Sequence, residues 1–410
     1  MAKILFLVHR IPYPPNKGDK IRSWNFLRHL CETHEVHAGF FVDDPADIQH
    51  VKVLEEHCRS VHWSFASPMK QKLASLRGFL NGRCLTEMAY PSAKLREGVK
   101  QVLDRGIDCV FLYSAASRAF LPKEVTVPII TDFVDVDSAK WEAYAAQKSG
   151  PLSAIYHREA RLLARYEHNL ARESATSVFV SGDEAALFRE RLGAPSSAAE
   201  VFGIPNGVDT EAFDPDKYQG QRSAGKRVLF TGAMDYAPNV DAVEWFVRDI
   251  FPAIRRAIND VEFFVAGRPV APAVKALGTE DGVTVLGGVD DMAAEIAKAD
   301  VVVAPLRTAR GIQNKVLEGM AMAKPVVCTS AANEGINAVV GESIIVADEV
   351  EAFAESVIDL LNDPKKAHQI SQNARRFVQQ FNSWEAAFSQ LDTVISDALS
   401  DKGGQGRDVG

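Results

Sequence analysis

Twice along this chain, short and nearly unbroken apolar runs alternate with longer stretches of helical periodicity. The first series holds "KILFLV" (3–8), "EVHAGFFV" (35–42), "CVFLY" (109–113), "PIITDF" (128–133) and "SVFVS" (177–181). The second holds "RVLFTG" (227–232), "VEFFVAG" (261–267), "VTVL" (283–286), "DVVVAP" (300–305), "PVVCT" (325–329) and "SIIVA" (343–347). A strand that is apolar at every position is buried on both faces, and helices between such strands supply the covering layers of a parallel sheet. Helical patterns occupy 18–30, 91–105 and 153–172 in the first series, and 239–258, 292–298, 314–323 and 350–362 in the second. The expected fold class is therefore α/β, with two doubly wound Rossmann-like domains in succession.

A length of 410 residues suits two domains better than one. The turn-rich "IPNGVD" and the polar "DPDKYQGQRSAGK" put the junction within 203–226, because Pro, Asn and Gly punctuate chain direction. The expected division is 1–203, 204–381, and a last helix at 382–400 that follows a break at "FNSW" (381–384) and crosses back onto the first domain. The closing "DKGGQGRDVG" (401–410) has one apolar side chain, a Val, and is expected to be mobile.

A net charge of −8 argues against a nucleic-acid partner. Five scattered Cys without a C-x-x-C pair read as reduced thiols in a cytoplasmic protein. The N-terminal apolar run is too short for a signal peptide, and no run reaches the roughly 18 residues of a membrane span. Residues 57–86 contain no Asp or Glu but carry Arg59, Lys70, Lys72, Arg77 and Arg83, with Met69, Leu73, Leu76 and Leu80 at helical spacing. Such a basic amphipathic helix fits an anionic membrane surface on the cytoplasmic side, as a peripheral contact; the alternative is a core-facing helix with solvated Lys and Arg.

The stretch "GIQNKVLEGMAMAKPVVCTS" (311–330) carries the chemistry. The loop "RTARGIQ" (307–313) leaves a strand at its carboxyl end, where open α/β sheets bind ligands, and the helix that follows begins facing that edge. Free backbone N–H groups and the helix dipole favour an anion such as a diphosphate there. Lys315 opposes the dipole in the first turn, which an intervening anion would explain. Asn314 and Glu318 share its face, and a carboxylate suits the vicinal hydroxyls of a ribose or sugar. On spacing alone, Lys315 and Glu318 equally suit an exposed i,i+3 ion pair.

"EGMAMAKPVV" (318–327) and "IPNGVDTEAFDP" (204–215) resemble hallmarks of the retaining GT-B glycosyltransferases of family 4, the glycosyl transferases group 1. "RIPYPPNKGDKIRSWNFLRHL" (10–30) and "DFVDVDSAKW" (132–141) resemble the branch associated with exosortase (PEP-CTERM) and exopolysaccharide clusters. The resemblance implies a nucleotide-diphosphate-sugar donor on the second domain and a saccharide or lipid-linked saccharide acceptor on the first. It implies that Glu318 holds the donor's ribose hydroxyls and that Gly18 lies in a glycine loop near the phosphates. Two departures stand out. Arg310 occupies the place of the family's first Glu, and "TGAMDYAPN" (231–239) lacks the usual cations that clamp the diphosphate. Lys315 first, then Arg310, Arg307 and Arg268, remain for that work, with Gly311 in the loop between them. Asp132, Asp135 and Asp137 stand at a strand end; a D-x-D metal site, helix capping and a metal-free sugar contact by Asp135 or Asp132 are the competing readings, the last favoured. No cofactor and no metal are expected. An isomerase like the nucleotide-sugar 2-epimerases and a non-catalytic nucleotide-sugar-binding protein remain as rivals.

Overall fold

A computed structural model describes residues 1–15, 18–66, 68–90, 92–146, 149–193, 200–220, 225–309 and 312–401. Arg310, Gly311 and the tail beyond 401 lie outside these, as do the side chains of Lys70, Lys72, Leu73 and Leu80.

The chain forms two compact units, Met1–Pro205 together with the chain from Phe388 onward, and Asn206–Ala387. The first holds a seven-stranded sheet of β1 (Lys3–Val8), β2 (Glu35–Val42), β3 (Ser60–Phe65), β4 (Cys109–Tyr113), β5 (Ile129–Val134), β6 (Thr176–Phe179) and β7 (Glu200–Gly203), in the order β3-β2-β1-β4-β5-β6-β7. The second holds β8 (Lys226–Thr231), β9 (Val261–Ala266), β10 (Val283–Gly287), β11 (Val301–Ala304), β12 (Val326–Cys328) and β13 (Ile345–Val346), in the order β10-β9-β8-β11-β12-β13. Every pairing of neighbouring strands is parallel. The strand order reverses direction between β1 and β4 in one unit and between β8 and β11 in the other.

The expected central strands form at their apolar runs. Two strands of the first unit, β3 and β7, escape the sequence reading because they are edges. "SVHWSF" is half-exposed along its length and polar at alternate positions, and "EVFG" is only four residues long, so neither shows the signature of burial on both faces. The core of the second unit gathers Phe230, Phe246, Phe263 and Val303 around the sheet, with Val316, Leu317 and Met320 from the 314–321 helix packed on it.

In the first unit the helix Gly18–Thr33 is fixed by Arg22, which is fully buried. Its Nε donates to Asp132 Oδ2 at 2.7 Å, and a second guanidinium nitrogen donates to the Ile204 carbonyl at 2.8 Å. Near the C-terminus the helix Pro364–Phe377 passes through a π-type turn, Val378–Asn382, into the helix Trp384–Asp401. The Val208 N–H donates to the Asn382 carbonyl at 2.7 Å, and Gly207 lies so near the other segment that a Cβ would come within 2.2 Å of the Trp384 nitrogen. Among the described residues no helix is long and apolar enough to cross a membrane.

Candidate functional site

The carboxyl ends of β8 and β11 flank the reversal of strand order in the second unit, the place where open α/β sheets bind ligands. A cavity of 490 Å³ lies there, and Thr231, Gly232, Asn239, Arg268, Lys315 and Glu318 are among its walls. Two glycines make room for it. A Cβ on Gly267, whose φ is +136°, would sit 1.8 Å from the Gly232 carbonyl oxygen. A Cβ on Gly232, at φ +151°, would crowd Asn239 Nδ2 at 2.8 Å and Lys315 Cε at 3.2 Å. Both backbone conformations are ones that L side chains avoid.

The helix Asn314–Ala321 begins at this cavity, with Val316, Leu317, Met320 and Ala321 turned into the core. Lys315 is buried and does not pair with Glu318. Its Nζ donates to Asn239 Oδ1 at 3.0 Å and to Gln313 Oε1 at 3.4 Å, and it stands 5.5 Å from the centre of the Phe230 ring. Asn239 is anchored in turn, because its Nδ2 donates to the Ala233 carbonyl at 2.9 Å. The exposed i,i+3 pair is therefore not what forms. Lys315 is held by neutral acceptors on a cavity wall, with no carboxylate in contact among the described residues.

Burial, opposed by Glu318, pushes the Lys315 amine down to about 8. Burial, opposed by Lys315, pushes the Glu318 carboxyl up to about 6. Both shifts are dominated by desolvation, which disfavours the charged form of each. A bound anion beside Lys315 and a hydroxyl donor beside Glu318 would relieve both. Thr231 points the same way, for its buried Oγ1 has no partner among the described residues. Asn239→Asp should put a carboxylate beside Lys315 and raise its amine by more than about 1 unit. An NMR titration of lysine-labelled protein reads this, and an unmoved amine would refute the contact.

The other expected residues fall in different places. Arg268 lines the cavity and is exposed, and Asn314 lines it as the first residue of the helix. Arg307 does not line it. Its Nε donates to Asp241 Oδ2 at 3.0 Å, a second nitrogen bonds the same carboxylate, and the guanidinium lies over Trp245. Arg310 and Gly311 lie outside the described residues. In the first unit Asp132 is fully buried, with its oxygens taken by Arg22 and by the Val134 N–H at 3.1 Å. Asp135 is partly exposed and holds Lys140 Nζ at 2.6 Å, which also reaches Asp137 at 3.2 Å. Val134, between them, has φ +70°, a costly backbone for a β-branched residue. Gly18 opens the 18–33 helix, with nothing within 4 Å of where its Cβ would stand. Asn239 is the residue that sequence reasoning missed. The reading sought a cation in "TGAMDYAPN", whereas the fold uses the amide there to hold a cation supplied 76 positions later.

Residues 225–363 match the family described as "Glycosyl transferases group 1". Over 405 residues the chain is 22% identical to an uncharacterized 44.6 kDa protein in the cps region of Klebsiella pneumoniae, covering 95% of this chain and 99% of that one. Over 238 residues it is 26% identical to a GDP-mannose-dependent alpha-(1-6)-phosphatidylinositol monomannoside mannosyltransferase of Mycolicibacterium smegmatis, covering 53% of this chain and 61% of the relative. Among solved structures, Anabaena HepE in complex with UDP and glucose superposes with a TM-score of 0.61 at 17% identity, over 97% of this chain and 100% of that one. WaaG, a glycosyltransferase involved in lipopolysaccharide biosynthesis, superposes with a TM-score of 0.57 at 14% identity, over 95% and 99%. The fold is that of the GT-B glycosyltransferases, with two parallel-sheet α/β units.

Proposed function

We propose that this protein is a retaining glycosyltransferase of family 4, in the exosortase-associated branch, that moves a hexosyl unit from a nucleotide-diphosphate-sugar to a cell-envelope or exopolysaccharide acceptor without a metal ion. The observation that carries the reading is Lys315 on the cavity wall, without a carboxylate partner among the described residues, held by Asn239 and lying one helical turn from a half-buried Glu318. An amine in that place answers the negative charge that grows on a departing diphosphate, and a carboxylate beside it accepts from a ribose diol. The match of residues 225–363 and the relatives' mannosyltransferase and lipopolysaccharide roles support it. Arg268 and Asn314 complete the donor side, while Asp135 serves the acceptor or donor sugar. The acceptor is a saccharide or lipid-linked saccharide, and the protein works in the cytoplasm with its 57–86 segment against the inner membrane face.

A thermal-shift screen over UDP-, GDP- and ADP-sugars tests the donor. A ligand at 100 times its Kd should stabilise the native state by about 2.7 kcal/mol, and Glu318→Gln should reduce that gain for the matching donor. If a donor incubated alone returns as its epimer, an isomerase is the answer instead. Activity that survives thorough chelation is expected, and rescue by Mn²⁺ of a chelated, silent enzyme would oppose the metal-free reading.

The pH dependence follows from the two perturbed groups. Lys315 loses its charge as pH rises through about 8, so affinity for a nucleoside diphosphate should fall above that value, approaching about tenfold per unit. Glu318 takes up a proton as pH falls through about 6 and ceases to be a pure acceptor. Calorimetric titration should therefore find tightest binding between these values, and a monotonic profile across them would contradict the assignment.

A further inference from the structure

Two of the five cysteines meet in the first unit. Cys31 Sγ lies 3.7 Å from the Sγ of Cys58, 27 positions further along the chain. Cys31 belongs to the helix Gly18–Thr33, and Cys58 directly follows the helix Val51–His57. Of the five, Cys31 is partly exposed, while Cys58, Cys84, Cys109 and Cys328 are buried. The contact is part of a built interface. Lys20, Trp24 and Cys31 are spaced by four and then seven positions, so they share one stripe of their helix. Lys20 Nζ donates to Asp47 at 2.6 Å, and the Trp24 ring meets His57 edge-on with centres 5.3 Å apart. Asp47 and His57 flank the short helix that Cys58 terminates. That helix buries only Val51 and Leu54, so its order depends on this interface.

Buried thiols in contact are often no more than core packing. The unequal access of these two sulfurs gives the pair a chemistry. A thiol open to solvent can be reached by a small oxidant, and a second thiol touching it can resolve the adduct. The contact with Cys31, followed by burial, pushes the Cys58 thiol well above its ordinary range, which suits it to the second step rather than the first. Closing the contact to a bond of about 2 Å asks only for small rotations of two side chains.

We propose that Cys31 and Cys58 form a reversible disulfide that fastens the helix Gly18–Thr33 to the 45–58 segment. The oxidant is a small disulfide of the glutathione class. The Cys31 thiolate attacks one of its sulfurs, the S–S bond breaks, and one glutathione thiolate departs. Cys58 then gives its proton to solvent and attacks Cys31 Sγ, which expels the second glutathione. The two protein thiols lose two electrons and two protons, and the oxidant gains them as two glutathione thiols. Excess thiol runs the sequence backwards. The inference stands on the first unit alone and is independent of the transferase reading.

The full chain, incubated in reduced and then oxidised glutathione, acid-quenched and alkylated, is read by peptide mass spectrometry. Oxidation should join the Cys31 and Cys58 peptides with loss of two hydrogens, and dithiothreitol should restore both thiols. Cys58→Ser, lacking the resolving thiol, should instead keep glutathione on Cys31. Hydrogen exchange over 45–58 should slow at least about threefold in the oxidised parent and not in the equally treated Cys31→Ser. The proposal is overturned if both thiols of the parent stay alkylatable in oxidised glutathione, or if Cys31 stops at the glutathione adduct. A bridge from Cys31 to another cysteine, or to a second copy of the chain, would overturn it too. So would a bridge that leaves exchange over 45–58 unchanged, since nothing would then be fastened.

Discussion

Lys315→Met is expected to lower kcat by about 100- to 1,000-fold, the scale of removing one preorganised charge-stabilising donor. Methionine keeps the length of the stem while removing the ammonium and its contact with the Phe230 ring. The amine's burial without a carboxylate in contact among the described residues, and its displacement down to about 8, mean that the native state carries an unfavourable charge there. The neutral side chain should therefore leave the melting temperature unchanged or raise it, which separates a catalytic deficit from unfolding. In the proposed transfer the charge is needed most as the sugar–phosphate bond breaks, so the loss should appear more in kcat than in KM. Rates of nucleotide release under donor saturation measure this. A variant within about threefold of the parent would remove Lys315 from the mechanism.

The second large effect concerns stability. Asp132→Ala should destabilise the first unit by about 3–5 kcal/mol, because it strands the Arg22 guanidinium in a site with no access to water. For a unit of this size that corresponds to roughly 6–20 °C in melting temperature. The pair consists of two fully enclosed groups that bond each other, the Ile204 carbonyl and the Val134 N–H, so neither can turn toward solvent when the other is removed. Replacing both, as Arg22→Met with Asp132→Leu, should recover part of the loss. A melting temperature within about 2 °C of the parent for Asp132→Ala would show that the pair contributes little.

The sequence is most informative where burial is two-sided. Runs such as "KILFLV" and "DVVVAP" are central strands because no polar face exists to break them, while β3 and β7 stay hidden because a half-exposed edge tolerates His62, Ser64 and Glu200. The same asymmetry divides the site. Lys315 and Glu318 are legible because both lie on one short helix, and local spacing places them on one face. Asn239 and Thr231 are not, since their relation to Lys315 exists only after β8 and β11 are brought side by side. Arg307 shows the converse case. Its position on the loop after β11 marks it as a phosphate ligand, yet Asp241, from the helix Ala237–Trp245, captures it. Loop cations are chosen by neighbours that sequence distance conceals.

The pairing of Val208 with Asn382, and the close approach of Gly207 to Trp384, have a genetic corollary. The polypeptide enters and leaves the second unit through a single gate, so that unit is a closed cassette spliced into the first. Another module whose own ends meet at such a gate can replace it by recombination without stretching either connection. Whatever ligand the 490 Å³ cavity takes can then be exchanged wholesale while the rest of the chain stays untouched.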